Sequence, residues 1–175
     1  MIFPSFFFLF TGKMKKAIYI SPLDPITIAD EDIILRARKL FDEITLVFRE
    51  TDQGLFSCEQ RMAFAKKTFE EYDDILCVKT EGRLIEYRVE NDIIYQIRSI
   101  DSIRNLESSQ QINELIRSGY PQMETVFFDC TPKYRYLTSA TIKEIFSFDG
   151  EYRDYLPQRS ADMIVSAFED IRKNR

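Results

Sequence analysis

The 175-residue chain contains no histidine. That absence excludes a histidine general base, a Ser-His-Asp triad, a histidine-ligated zinc and the common physiological-pH switch. Cysteine is scarce: Cys58, Cys77 and Cys130 are odd in number, widely spaced and set among apolar residues. Such cysteines are expected as buried free thiols in a reducing cytosol, and a disulfide frame or a cysteine metal site is not expected. No run of Lys and Arg interleaved with aromatics marks a nucleic-acid track, and the net charge of −5 is mild, so no nucleic-acid partner is expected. The apolar opening MIFPSFFFLFTG falls short of the ~20 residues that span a bilayer and has no basic residue before it. It is not read as a membrane helix, and because the cysteine usage argues against export a cytoplasmic location is expected. Met14 directly precedes KKAIYI, so residues 1–13 read as an over-called start or a loosely packed extension, and residues 14–175 as one domain. Gly- or Ser-rich linkers, internal repeats and low-complexity tracts are missing from that body.

What is present is an ordinary globular mixture, 45% hydrophobic and 30% charged, long enough for one sizeable core. Strand-length apolar or β-branched runs recur at residues 17–20, 44–48, 75–78, 93–97 and 125–128. Helical patterns alternate with them. Ile33, Ile34, Ala37, Leu40 and Phe41 share one face; Cys58, Met62, Ala65 and Phe69 share another, behind a Ser57–Gln60 capping box. Further helices are expected near 104–117 and 139–148, and a last one carries Ile164, Ala167, Phe168 and Ile171, with Pro157 in its first turn. Strands alternating with helices imply right-handed crossovers and a single-domain, doubly wound α/β fold with a mostly parallel five-stranded sheet covered on both faces. Ligands of such folds sit at the carboxyl ends of the strands, where the first crossing loop feeds a helix N-terminus. SPLDPITIAD, residues 21–30, occupies that place.

KKAIY followed by DPIT (24–27), LFDEITLVF (40–48), LFSCEQR (55–61), ETVFF (124–128) and LTSATIKEI (137–145) come in order along the body. In these motifs the chain resembles the phosphopantetheine adenylyltransferase family, bacterial enzymes of coenzyme A biosynthesis in the nucleotidyltransferase superfamily with an H-x-G-H-type motif and a Rossmann-like fold. The resemblance implies adenylyl transfer from ATP to 4′-phosphopantetheine, giving dephospho-coenzyme A and pyrophosphate with Mg²⁺. It also implies a homo-oligomer, a hexamer in the family.

The resemblance fails at the residues that carry the chemistry. The family's G-[ST]-F-D-P loop has Ser21 and Pro22 in its first two places, and proline offers neither an N–H nor a hydroxyl to phosphate. T-x-G-H becomes Thr27, Ile28, Ala29, Asp30. A carboxylate there accepts where the family's histidine donates, and it suits a helix cap. The basic residue expected after the second strand is replaced by Asp52 and Gln53, with Arg49 nearby, and R-G-L-R by Arg98, Ser99, Ile100, Asp101. I-S-S-S/T becomes Leu137, Thr138, Ser139, Ala140, preceded by a new charge at Arg135. By resemblance, Ser21, Pro22, Arg98, Arg135, Thr138 and Ser139 mark the vestige of a nucleotide site, and Leu84 the pantetheine side. The expectation is a catalytically inactive homologue retained for binding, regulation or assembly, with ATP, phosphopantetheine or coenzyme A as ligands. Three alternatives stay open: an active pantetheine-phosphate adenylyltransferase, an active nucleotidyltransferase with altered substrate or metal use whose Asp30 and Asp52 hold a cation, and an oligomer without a ligand.

Overall fold

Five β-branched and aromatic runs pair into one sheet, its inner strands more deeply buried than its two edge strands. The computed structural model describes residues 13–173. The element order is β1 (Lys16–Tyr19), α1 (Ile28–Ala37), β2 (Glu43–Phe48), α2 (Cys58–Thr68), β3 (Ile75–Lys79), α3 (Leu84–Glu90), β4 (Tyr95–Ile100), α4 (Ile103–Gly119), β5 (Glu124–Asp129), α5 (Ser139–Ser147) and α6 (Ala161–Lys173). Short 3₁₀ turns at Pro132–Tyr134 and Arg153–Tyr155 flank α5. All pairings are parallel, in the order β3-β2-β1-β4-β5. The chain therefore reverses direction across the sheet between β1 and β4, which opens a crevice at their carboxyl ends.

The core joins the central strands to α1, α2, α5 and α6, with Ile18, Ile44, Leu46 and Ile97 fully enclosed. Phe168 of α6 closes it, stacking on Phe56, Phe146 and Tyr152. The Ser57–Gln60 capping box forms as the sequence predicts.

Several local expectations differ. Leu40 lies in the turn after α1 and is 55% exposed, because the helix ends at Ala37; Phe41 alone returns to the core. Pro157 precedes α6, its carbonyl accepting from Ser160 N in the turn before the helix. Cys77 is only partly buried, since β3 is an edge strand, while Cys58 and Cys130 are buried; all three are free thiols. The seven-residue α3 has no counterpart in the sequence reading, being too short and too charged to show a helical period. Residues 1–12, on which the N-terminal extension is argued, lie outside the described residues.

Candidate active site

The loop after β1 is held by its middle. Asp24 is 3% exposed and accepts from Leu55 N at 2.8 Å, Phe56 N at 3.0 Å and Lys143 Nζ at 2.9 Å. Ser139 Oγ donates to the Pro25 carbonyl at 2.8 Å. From the other side Arg61, 4% exposed, spans the Pro22 carbonyl at 3.1 Å, the Phe56 carbonyl at 3.2 Å and the Arg49 carbonyl. Two stretches far apart in sequence, 55–61 and 139–143, thus converge on this loop.

At the loop's end Thr27 caps α1, and Asp30 completes a capping box. Asp30 Oδ2 accepts from Thr27 N at 3.0 Å and Thr27 Oγ1 at 2.8 Å; Oδ1 accepts from Tyr19 OH at 2.8 Å and Ser21 Oγ at 3.2 Å. An ionised carboxylate has about four acceptor directions, so these donors fill them. Burial raises the Asp30 carboxyl above the ordinary carboxylate value, while the donors from Thr27, Tyr19 and Ser21 pull it back. The Tyr19 phenol is pushed well above its usual value, first by burial and then by the Asp30 charge. The helix N-terminus where a phosphate would seat carries an enclosed negative charge of the protein's own.

Two cavities share the wall formed by Tyr19, Ser21 and Pro22. The smaller, ≈ 230 Å³, lies between the start of α1, the end of β4 and the start of α5, and its charged lining is Asp30 and Asp101 against Arg135. The larger, ≈ 690 Å³, lies over β2, α3 and β4; Arg49, Arg61, Arg98 and Lys143 line it against Asp24 and Glu50. Its acids are engaged: Asp24 by Lys143, and Glu50 by Lys79 at 3.2 Å. Among the described residues Arg49 and Arg98 have no carboxylate partner, and the Arg98 Nε is buried without an acceptor.

The residues singled out from sequence divide between these cavities. Arg135, Thr138 and Ser139 line the smaller one, Leu84 and Arg98 the larger, and Ser21 and Pro22 both. Thr138 caps α5 through Thr141 N at 3.1 Å, and Arg135 has only a 3.8 Å contact to Asp129. Asp52 is exposed and does not line either cavity, whereas Arg49, Thr51 and Gln53 of the same loop line the larger one. Sequence reasoning missed Tyr19, Arg61 and Lys143. Arg61 and Lys143 stand within the quoted LFSCEQR and LTSATIKEI stretches, but only the fold shows that they face the first loop.

Asp30 has no acceptor direction left for a cation, and no group of three or more His, Cys, Asp or Glu among the described residues is placed to hold one. Asp30 and Asp52 therefore do not form a shared cation site, the first having its acceptor directions filled and the second lining neither cavity. None of the described helices is long and apolar enough to cross a membrane.

No family model matches the chain. A curated phosphopantetheine adenylyltransferase of Clostridium novyi is 32% identical over 161 residues, covering 91% of this chain and 100% of the relative. The chain belongs to the phosphopantetheine adenylyltransferase family. Another curated phosphopantetheine adenylyltransferase, from Syntrophotalea carbinolica, is 28% identical and covers 88% of this chain. Among solved structures, a bifunctional NMN adenylyltransferase/ADP ribose pyrophosphatase from Francisella tularensis superimposes with a TM-score of 0.65 at 11% identity over 90% of this chain. The chain spans about half of that longer protein, 52%, and the likeness shows the Rossmann-like nucleotidyltransferase fold. The match to the Clostridium novyi relative runs over that protein's whole length.

Proposed function

We propose that this chain is a phosphopantetheine adenylyltransferase homologue that has lost adenylyl transfer and retains binding in the larger cavity. Its ligand there is a phosphate monoester with an uncharged arm, of the phosphopantetheine type. The observation that carries the proposal is Asp30: its carboxylate occupies the helix N-terminus with all four acceptor directions filled, facing the smaller cavity beside Asp101. A triphosphate entering there meets two acids and no donor from Pro22. Losing one positioned donor of this kind typically lowers rates by ~10² to 10³, and losing a proton-transfer group by ~10² to 10⁴. In the larger cavity the balance is reversed, with Arg49 and Arg98 unpaired and Leu84 offering an apolar wall.

Calorimetric titrations with phosphopantetheine, coenzyme A and ATP test the binding half. Phosphopantetheine is expected to bind without nucleotide, and ATP alone to bind more weakly than phosphopantetheine. Pyrophosphate release from ATP and phosphopantetheine with Mg²⁺ tests the catalytic half. Turnover near that of ordinary family members would sink the reading.

A second reading is favoured by Arg135, whose buried Nε has no acceptor and whose side chain lines the cavity that holds Asp30. In that reading the chain is active, with Arg135 supplying the cation that the Asp30 position lacks. It requires ATP binding that fails in Arg135→Ala.

A cytoplasmic homo-oligomer is part of the first proposal. Its support beyond the family is α4, whose 17 residues bury only Ser109 while Ile112 is 48% and Leu115 80% exposed. Sedimentation of the intact chain beside Leu115→Glu tests it: the variant is expected to shift toward monomer.

A further inference from the structure

Arg88 is a guanidinium at 2% exposure, among the largest fully enclosed side chains of the protein. Among the described residues it has no carboxylate partner. Its Nη2 donates to Gln96 Oε1 at 2.8 Å, its Nη1 contacts the Met123 sulfur, and its Nε is buried without an acceptor. Gln96, fully buried in β4, passes the network on to Asn113 Oδ1 and Thr125 Oγ1, both at 2.6 Å. A buried cation paired only with neutral groups carries a large desolvation cost. Packing alone does not explain it.

Its placement does. Leu84 lines the larger cavity, and Arg88 lies four residues on, one turn deeper on the same face of α3. Arg98 lines the same cavity, and Gln96 lies two residues back, on the same face of β4 and about 7 Å along the strand. The hydrogen bond from Arg88 to Gln96 joins these two rows just behind the cavity. The two arginines feel each other: burial first, and then the charge of Arg98, lower Arg88 to about 10, and burial lowers Arg98. Two positive charges sit in one poorly solvated region, and among the described residues neither has a carboxylate paired with it.

We propose that Arg88 is a positioning residue that adds a second, buried positive charge behind Arg98, so that the larger cavity selects a doubly charged phosphate monoester over singly charged anions. This rests on the proposed binding in that cavity. Arg88 does not touch the ligand; it acts through the field at Arg98 and by holding Gln96 beneath it. At an effective dielectric near 20, a charge about 10 Å away acts on each unit of ligand charge by roughly tenfold in affinity before salt screening reduces it, so a dianion feels it twice over.

The test is titration of the full chain with phosphopantetheine, and with the singly charged methyl phosphodiester of the same compound, at several salt concentrations. Arg88→Met keeps the volume and removes the charge, Arg88→Lys keeps the charge, and Arg88→Met with Gln96→Met removes both partners of the hydrogen bond should the single variant fold poorly. The expected result is a loss of about tenfold in affinity for the monoester in both methionine variants, with a shallower salt dependence, a smaller loss for the diester, and recovery in Arg88→Lys. Equal losses for monoester and diester mean a purely structural role and overturn the inference. So does unchanged affinity in a folded Arg88→Met protein. If the unaltered chain binds neither compound, the proposed binding function itself fails, and the inference with it.

Discussion

The two cavities that share the Tyr19–Ser21–Pro22 wall have opposite electrical character. On one side the chain has filled an anion position with its own carboxylate and locked it with four donors. On the other, two arginines remain without acids, and a third lies buried behind them. A single crevice at the carboxyl ends of β1 and β4 therefore presents an acidic half and a basic half. The fold places both cavities, but side chains on different elements decide what enters each.

That contrast can be broken most severely at the residue that frames both sides. Asp24→Ala strips acceptors from Leu55 N and Phe56 N and leaves Lys143 unpaired, and urea unfolding is expected to show a loss of about 3–5 kcal/mol. A loss below about 1 kcal/mol would mean that the cavities are framed independently. Next comes Arg98→Ala, expected to weaken phosphopantetheine by roughly 10- to 100-fold in calorimetry, while leaving the binding of ATP nearly unchanged.

A subtler effect sharpens the comparison through pH. Asp30 has a raised folded pKa, so the folded state binds more protons than the unfolded one, and stability from this group rises as pH falls through that pKa toward the ordinary value near 3.9. Asp30→Asn removes this gain. Its deficit against the unaltered chain, about 1–2 kcal/mol at pH 7, is expected to widen on acidification. Asp74 has the opposite sign: its hydrogen bond to Arg38 lowers its pKa, so its contribution is full above 3.9 and lost as pH falls through the folded value. The deficit of Asp74→Asn is expected to shrink on acidification. Parallel curves for the two variants would refute the assignment. The smallest effect belongs to Asp52→Lys, expected to stay within about 0.5 kcal/mol in stability and about twofold in phosphopantetheine affinity, since Asp52 is exposed and away from both cavities.

Much of the architecture was legible before any coordinates. The five strands differ from the apolar runs by one to three residues at their ends, because a buried parallel strand must be apolar throughout. The capping pattern at Ser57–Gln60 was legible because the donors it satisfies lie within one turn. Asp30 was expected as a helix cap for the same reason, but the Tyr19 and Ser21 donors that complete its shell were not, since they arrive from the strand and loop before it. The network of Arg88, Gln96, Asn113 and Thr125 was invisible: Gln96 and Thr125 read as strand residues and Arg88 and Asn113 as ordinary polar positions, and only the packing of α3, β4, α4 and β5 brings them together.

Asp24 has a consequence for how such a protein changes over time. Because the first loop is fastened at its centre to the 55–56 turn and to α5, its place in the fold does not rest on its two ends alone. Substitutions at Ser21, Pro22, Ala29 and Asp30 can alter what the crevice recognises while DPIT keeps the scaffold in register. A lineage can thus exchange one chemistry for another there without first passing through an unfolded intermediate.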